Sequence, residues 1–468
     1  MSTATGLVAT VDVAREASDH RIGPRADGSD LQVAAGRPLR LALLGGRSDA
    51  TLVGGRAAAL AACADVVLTI RGDARSTLVE RAAALRDARP TTVLLTADGQ
   101  DGSALVDLAE ALRLGCASDR PAVLVAGHEN ARRPVLAALA GLPVEAMPDA
   151  ATSAGRDAIV ARLRAMRRDG GSLVLRDESV DAAARAVASA TGRAAVIADV
   201  SGTTSSLAYA SASGAVTAVH AHLGVGASAD RVVAGGGLDR VRRWMPRAVD
   251  GPALLERVFN RARWPDAVAA TPQTLALEMA LARECLRRLL AEAERAEVAF
   301  GAARSAPLIV CTGQLARFPR AAQTVLVAVD ALAPETVQVI AWERPDALIA
   351  AGAIASRTPA DVMSALTPLA LVASLAPRRV MTVRVSDASG AVEQRVGRGA
   401  FLLVPTRGAV ELTVQGIASA TTSEALALGV VIDARGRPLE LPPRDAERLP
   451  AVGRWAAAVD ALPPEAER

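Results

Sequence analysis

A run of small polar residues after a buried strand is the part of the sequence best suited to chemistry. The segment Asp199-Val-Ser-Gly-Thr-Thr-Ser-Ser-Leu207 follows the apolar run Ala194–Ala198, which predicts a strand ending at a carboxylate and a tight turn. Glycine and small hydroxyl residues let backbone N–H groups approach an anion closely. The Asp199 carboxylate could hold a hydrated Mg²⁺ that bridges phosphate oxygens. The segment predicts half of a nucleotide-phosphate site, with an ordinary strand–turn–strand hairpin as the alternative.

Two aspartates in the glycine-containing loop after Thr92–Thr96 are the other candidates for a chemical role. Asp98 and Asp101 could serve as the general base of a sugar or acyl kinase, which must activate a substrate hydroxyl. The same Asp-Gly-x-Asp-Gly pattern is typical of turns, and this is the favoured interpretation. Calcium binding is not predicted, because no bidentate glutamate follows at the required spacing.

The cysteines and histidines do not form a metal-binding pattern. The four cysteines are widely scattered along the chain: Cys63, Cys116, Cys285 and Cys311. No Cys-x-x-Cys pair and no zinc-type histidine spacing occur, so buried free thiols in a reducing cytoplasm are predicted. His220 and His222 would share one strand face, but the sequence offers no third ligand nearby.

Composition limits the class of protein. The chain has 468 residues, of which 51% are hydrophobic and only 2% aromatic, so its two or three domains must build their cores from Ala, Val and Leu. All 53 basic residues are arginine, yet 50 acidic residues interspersed with them leave a net charge of only +3. Without a basic stripe and stacking aromatics, nucleic-acid binding is not predicted. No apolar run is long enough for a bilayer, and no signal peptide is recognisable, so a soluble cytoplasmic protein is predicted.

The candidate residues require an α/β framework with a different C-terminal part. Residues 1–37 are predicted to form a flexible leader, and 38–190 an α/β subdomain in which short strands alternate with helices. Residues 191–358 contain the Asp199 turn and form a second α/β subdomain. In it, Thr271 and Pro272 begin a long helix whose apolar stripe faces the core. Residues 359–468 are predicted to be a separate β-rich C-terminal module.

The order of the motifs resembles the MutL or GlmL accessory protein of coenzyme-B12-dependent glutamate (methylaspartate) mutase, a family distinct from mismatch-repair MutL. Seven stretches carry the likeness: Thr91–Gly102, Pro121–Gly127, Asp199–Leu207, Leu223–Gly226, Leu308–Gln314, Asp346–Ala353 and Gly429–Leu439. The resemblance covers roughly residues 39 to 460. It implies an actin/Hsp70/sugar-kinase-like fold, with two α/β halves around a nucleotide cleft.

The resemblance also implies the roles of particular residues in an ATP–Mg site. Asp199 would orient Mg²⁺ through water, as the metal-binding and catalytic residue. The cofactor-binding residues would be Gly202, Thr203 and Thr204 at the phosphates, Gly224 and Gly226 in the following loop, and Gly313 near the adenosine.

The sequence departs from the family at several of these motifs. The family opens with an Asp-x-Gly-Ser-Thr motif, but nothing like it precedes Leu39, so the first subdomain is predicted to be missing or reduced. Ser201 replaces a glycine, Ser205 and Ser206 replace a Thr-Asp pair, and Gln314 replaces the second glycine of the adenosine turn. These losses remove phosphate and metal contacts, so the ATP site is predicted to be eroded, with at most weak ATPase activity.

Three functions remain open. The first is a chaperone-like or reactivating accessory protein of a B12-dependent mutase, in which nucleotide state would alter partner affinity. The second is a nucleotide-free scaffold that uses the actin-like fold as a platform for a protein partner. The third and weakest is a sugar or acyl kinase. In the C-terminal module, Arg435 and Arg437 could contact a partner, but an ion pair with Asp433 that holds a hairpin is favoured.

Overall fold

The structure is a computed structural model. It describes residues 20–22, 31–46, 49–97, 103–168, 173–298, 300–343, 348–349, 359–376, 380–414, 417–422 and 424–462. Asp98 and Asp101 lie outside these residues.

The first part of the chain alternates strands with helices. Its elements are β1 (His20–Ile22), β2 (Leu31–Ala34), β3 (Arg40–Gly45), α1 (Asp49–Ala61), β4 (Asp65–Arg71), α2 (Leu78–Ala88), β5 (Thr92–Thr96), α3 (Ser103–Gly115), β6 (Ala122–Ala126), α4 (Glu129–Ala138), β7 (Val144–Met147) and α5 (Ser153–Arg167). Strands β3 to β7 alternate with helices, as the sequence pattern predicts for this part of the chain. They form one parallel sheet in the order β4-β3-β5-β6-β7, with helices on both faces.

Continuous apolar strands explain why this sheet is covered on both sides. Val93 and Leu95 of β5 pack with α3 and α4 on one face, while Leu94, between them, packs with α1 and α5 on the other. Each of these three residues is fully buried. A strand that alternates its side chains between two buried faces must be largely apolar, which is the pattern of the central strands β3, β5 and β6.

Part of the predicted flexible leader is held by strand pairing. β2 pairs with β1 on one side and, in parallel, with Leu173–Leu175 (β8) on the other. Arg37 N also donates to the carbonyl of Arg167 at 2.9 Å. Residues 31–37, at the end of the predicted leader, are therefore attached to the fold through backbone hydrogen bonds.

The middle of the chain contains the turn at Asp199. After β8 its elements are α6 (Arg176–Thr191), β9 (Ala195–Val200), β10 (Ser205–Ala210), β11 (Val216–Ala221), α7 (Ala229–Val233), α8 (Gly237–Arg242), α9 (Gly251–Arg263), α10 (Pro272–Arg295), β12 (Leu308–Gly313), α11 (Ala321–Leu332) and β13 (Val337–Glu343). The strands β9, β10 and β11 form an antiparallel meander, and β12 and β13 continue the sheet parallel to β9. This mixed sheet is consistent with an actin-like α/β fold, as predicted.

Helix α10 is buried on more sides than its sequence indicates. Its apolar stripe packs in the main core, as predicted, and Thr271 caps its N-terminus. Glu278 and Glu284, which lie off that stripe, are nevertheless only 4% and 2% exposed. Glu278 pairs with Arg261 at 2.8 Å, and Glu284 accepts the indole N–H of Trp244 at 2.7 Å. The helix lies between the sheet and α7–α9, so its charged side is covered as well.

The C-terminal part is β-rich but shares a sheet with the middle of the chain. Its elements are α12 (Pro359–Ser364), β14 (Leu366–Ser374), β15 (Met381–Asp387), β16 (Gly390–Val396), β17 (Phe401–Val404), β18 (Val410–Val414), β19 (Ile417–Thr422), β20 (Gly429–Asp433) and α13 (Asp445–Ala458). β14 pairs with β13, and β20 and β17 follow, which gives the eight-stranded order β11-β10-β9-β12-β13-β14-β20-β17. The strands β16-β15-β18-β19 form a separate four-stranded sheet. The expected separation of this module is therefore wrong, because the apolar strand β14 extends the middle sheet.

Candidate functional site

The structure brings the seven predicted site residues together. Asp199 is the fifth residue of β9 and lies beside Thr312 of the parallel strand β12. Gly313 ends β12, so it lies at the same end of the sheet as the turn that follows Val200. The loop containing Gly224 and Gly226 packs directly against that turn. The grouping of these residues was an implication of the resemblance to the MutL family.

The carboxylate of Asp199 is buried and paired with an arginine. Asp199 is 0% exposed and Arg176, the first residue of α6, is 1% exposed. Arg176 Nε donates to Oδ2 of Asp199 at 2.9 Å, and its Nη2 donates to Oδ1 at 2.7 Å. Thr312 Oγ1 also donates to Oδ1 at 2.7 Å. This bidentate hydrogen bonding is the strong geometry for an arginine and a carboxylate. The guanidinium supplies the positive charge that Mg²⁺ would otherwise bring.

The turn after Asp199 uses its own backbone donors. Ser201 Oγ accepts the backbone N–H of Thr204 at 2.9 Å and that of Thr203 at 3.2 Å. Ser201 N in turn donates to the carbonyl of Thr204 at 2.8 Å. A serine hydroxyl that accepts N–H groups two and three residues ahead is a common local motif. The Ser201 hydroxyl therefore accepts hydrogen bonds from the backbone N–H groups that would otherwise donate to a phosphate oxygen.

The predicted glycine loop closes over this turn. Val225 N donates to the carbonyl of Ser201 at 3.0 Å, and Gly226 N donates to that of Gly202 at 3.1 Å. A Cβ added to Gly224 would lie 2.5 Å from the carbonyl oxygen of Gly202, so only glycine permits this contact. Gly224 and Gly226 are here packing residues that cover the turn.

Gly313 is required by close packing against the strand that carries Asp199. It has φ +63°, and an added Cβ would lie 2.5 Å from the Val200 carbonyl oxygen and 2.8 Å from Asp199 Oδ1. Gln314, which follows it, places Nε2 3.4 Å from Oε2 of Glu278. Burial raises the pKa of Glu278, while Arg261 and Gln314 act in the opposite direction. Glu278 is thus a further buried carboxyl beside the site that the sequence did not single out.

Asp177, the residue after Arg176, connects the site to helix α1, which packs on the five-stranded parallel sheet. Asp177 accepts from Arg167 Nη1 at 2.8 Å and from Arg164 Nε at 3.0 Å. Both arginines also donate to carbonyls at the end of α1, at Ala61 and Ala62. Burial alone would raise the pKa of Asp177, but Arg167, then His220 and Arg164, outweigh it and lower the pKa to about 2.

Sequence reasoning missed Arg176 as the partner of Asp199. It lies 23 residues before Asp199 at the start of a helix, and many other arginines occur in the chain. No spacing rule links a helix N-terminus to the end of the next strand. The Ser201 hydroxyl could have been predicted, because serine commonly accepts local backbone N–H groups in turns.

These residues do not fit an Mg–ATP group in the arrangement described. Both carboxylate oxygens of Asp199 are engaged by Arg176, and the backbone donors of Thr203 and Thr204 are engaged by Ser201. Two other cavities, of about 510 and 480 Å³, are lined by residues outside the Asp199 turn.

The four cysteines are buried and unoxidised, as predicted. Burial raises the pKa of Cys63, Cys285 and Cys311 to about 12, so these thiols stay protonated at neutral pH. His222 is buried as well, and burial lowers its pKa to about 4. Within the described ranges, no group of three or more metal-ligating side chains occurs.

The predicted ion pairs of Arg435 and Arg437 with Asp433 are present, but they link β20 to remote parts of the chain, where a hairpin was predicted. Its Nη2 lies 2.8 Å from Oδ2 of Asp433 and 2.9 Å from Oδ1 of Asp330. The guanidinium also lies over two aromatic rings, 4.0 Å from the centroid of Phe401 and 4.7 Å from that of Trp455. With 1% of its side chain exposed, Arg435 joins β20, α11 and α13 in the interior.

The N-terminal third of the chain is similar to a known family. Residues 8–148 match the model of the family described as MutL protein. The resemblance to the MutL family is confirmed. The match begins inside the predicted leader and contains two of the seven stretches that suggested the family, Thr91–Gly102 and Pro121–Gly127. The Asp199 turn lies beyond it. No curated protein matches the chain.

Membrane insertion through a helix has no support in the described ranges, where no helix is long and apolar enough to cross a bilayer.

Proposed function

We propose that this MutL-family protein is an accessory protein of a coenzyme-B12-dependent mutase and acts as a scaffold without binding nucleotide. The family match supports an accessory role for a glutamate mutase at the level of the family. The β-rich C-terminal part, which shares its sheet with the actin-like part, offers a rigid surface for a protein partner.

The buried pair of Arg176 and Asp199 carries the nucleotide-independent part of the proposal. Phosphoryl transfer depends on positioning and on metal and donor charges at the phosphates. For Mg²⁺ to reach Asp199, the guanidinium would have to leave a buried position. Breaking a buried ion pair costs about 3–5 kcal/mol, which would weaken Mg–ATP binding by about two to four orders of magnitude.

Calorimetric titration with Mg–ATP tests the nucleotide part. We expect no binding heat at millimolar nucleotide for the intact protein and the same result for Asp199→Ala, with an established ATP-binding protein as the positive control. Micromolar binding that is lost in Asp199→Ala would contradict the proposal and restore the ATP site predicted from the sequence.

Capture of the mutase tests the accessory part separately. The immobilised protein should retain the cobalamin-dependent mutase of the same organism equally without nucleotide, with Mg–ADP and with Mg–ATP. A cobalamin-independent enzyme of similar size serves as the specificity control. Failure to retain the mutase in any nucleotide state would refute the accessory role, whatever the calorimetry shows.

An ATP-dependent reactivating factor is the second candidate. The observation in its favour is the convergence of Asp199, the 201–204 turn, the Gly224–Gly226 loop and Gly313 at one end of the sheet. Under this alternative α6 would shift and withdraw Arg176 when nucleotide binds. Strictly ATP-dependent capture of the mutase would favour it over the scaffold.

A further inference from the structure

A cavity at the start of α10 has the size of a ligand site. Its volume is about 510 Å³, within the range of about 300–1,000 Å³ that is usual for small-molecule pockets. Four parts of the chain line it: residues 245–249 after α8, Arg257 of α9, the first two turns of α10, and the stretch from Gly453 of α13 to Leu462. It lies apart from the Asp199 turn, so its role is independent of the nucleotide question.

The inner wall of the cavity is apolar. Met245, Ala276 and Ala456 line it and are at most 4% exposed, and Val249 and Leu462 add larger aliphatic groups. A hydrocarbon chain placed here would be removed from water, and each buried methylene favours binding.

The rim of the cavity is positively charged. Three arginines line it, Arg247, Arg257 and Arg454, and no aspartate or glutamate is among its described lining residues. Arg257 and Arg454 are exposed, and neither forms an ion pair within the part of the chain that the structure describes. A guanidinium group can donate two parallel hydrogen bonds to one carboxylate.

We propose that this cavity binds an organic carboxylate with an apolar chain. The chain would lie against Met245, Ala276 and Ala456, and the carboxylate would lie at the rim between Arg257 and Arg454. The arrangement of an apolar wall with a few convergent polar groups is the usual design of a small-molecule site.

Calorimetric titration with decanoate and with decanol tests the chemical class. Decanoate should bind more tightly than decanol, because only the carboxylate can use the arginines. Shortening the chain from decanoate to octanoate should weaken binding roughly tenfold, because two methylenes leave the apolar wall. Equal affinities for the acid and the alcohol would overturn the proposal, as would the absence of decanoate binding at millimolar concentration.

Three variants locate the site. Ala457→Trp fills the cavity from an exposed lining position and should abolish decanoate binding while the protein stays folded. The double variant Arg257→Glu with Arg454→Glu should weaken decanoate binding at least roughly tenfold and leave decanol unaffected. The control, Arg86→Glu with Arg133→Glu, makes the same charge change at exposed positions on α2 and α4 and should have no effect. Unchanged decanoate affinity in the first two variants would refute the assignment.

Discussion

Replacement of Arg176 by methionine tests whether the Asp199 ion pair is as tightly buried as the structure indicates. Methionine keeps the unbranched apolar stem of arginine but removes the guanidinium, so the Asp199 carboxylate stays buried with only the Thr312 hydroxyl as a side-chain donor. The two members of the pair are 1% and 0% exposed, so water cannot replace the lost charge. Removing one partner of such a pair costs about 3–5 kcal/mol in the free energy of unfolding.

Urea unfolding followed by tryptophan emission measures this loss. All four tryptophans lie between residues 244 and 455, so the signal reports on the part of the chain that carries the eight-stranded sheet. We expect a lower urea midpoint at an unchanged slope, which indicates a change in stability alone. Arg193→Ala removes an exposed arginine six residues before Asp199 and should change stability by at most about 0.5 kcal/mol.

A double variant distinguishes a buried pair from a surface pair. Arg176→Met combined with Asp199→Leu removes both charges, and replacing a buried pair by apolar residues is often neutral or stabilising. The double variant should therefore be more stable than Arg176→Met alone. The reasoning is refuted if Arg176→Met costs less than about 1 kcal/mol, the value for an exposed ion pair. The reasoning is also refuted if the double variant loses as much free energy of unfolding as Arg176→Met and Asp199→Leu lose together.

Three further predictions concern other buried contacts, each measured as the free energy of unfolding in urea. Gly313→Ala should cost about 1–3 kcal/mol, because its φ is +63° and its Cβ would meet a carbonyl oxygen, whereas Gly301→Ala, with open space around it, should cost little. The pKa of Asp177 is lowered to about 2, so its stabilisation is complete above pH 4 and is lost as pH falls towards 2. Between pH 5 and 2 the intact protein should lose about 2 kcal/mol more than Asp177→Asn, and equal losses would contradict this pKa. Arg435→Met should cost about 1.5–3 kcal/mol, because the buried carboxylates of Asp330 and Asp433 each lose one of two arginine partners, and a loss below about 1 kcal/mol would show that Arg435 is not a buried structural residue.

Strand patterns in the sequence were reliable where burial is uniform. The central strands of the first sheet, Arg40–Gly45, Thr92–Thr96 and Ala122–Ala126, are short, largely buried apolar runs separated by helices, and such runs favour a parallel sheet. The start of α10 was equally clear, because Thr271 and Pro272 form a local capping signal. These predictions needed only residues that are neighbours in sequence.

Sheet membership and helix burial could not be predicted in the same way. β14 looks like an ordinary strand in sequence, yet it extends the middle sheet through pairing with β13. The charged residues Glu278 and Glu284 on α10 look like a solvent-exposed side, but α9 and α8 cover them with Arg261 and Arg240. A helix packed on two sides needs partners for its charges, and those partners come from elements that are remote in sequence.

The sequence indicated, through its resemblance to the MutL family, that Asp199, the small-residue turn, the glycine loop and Gly313 belong together. Strand ends and glycine turns are local properties, and parallel strands bring their carboxyl ends to one edge of a sheet. Only the tertiary structure decided what Asp199 does there. The ion pair with Arg176 forms because the start of α6, which follows β8, lies beside the end of β9. No local sequence pattern encodes this long-range placement. A buried carboxylate must be paired, and the residue that pairs it decides between a metal site and a structural ion pair.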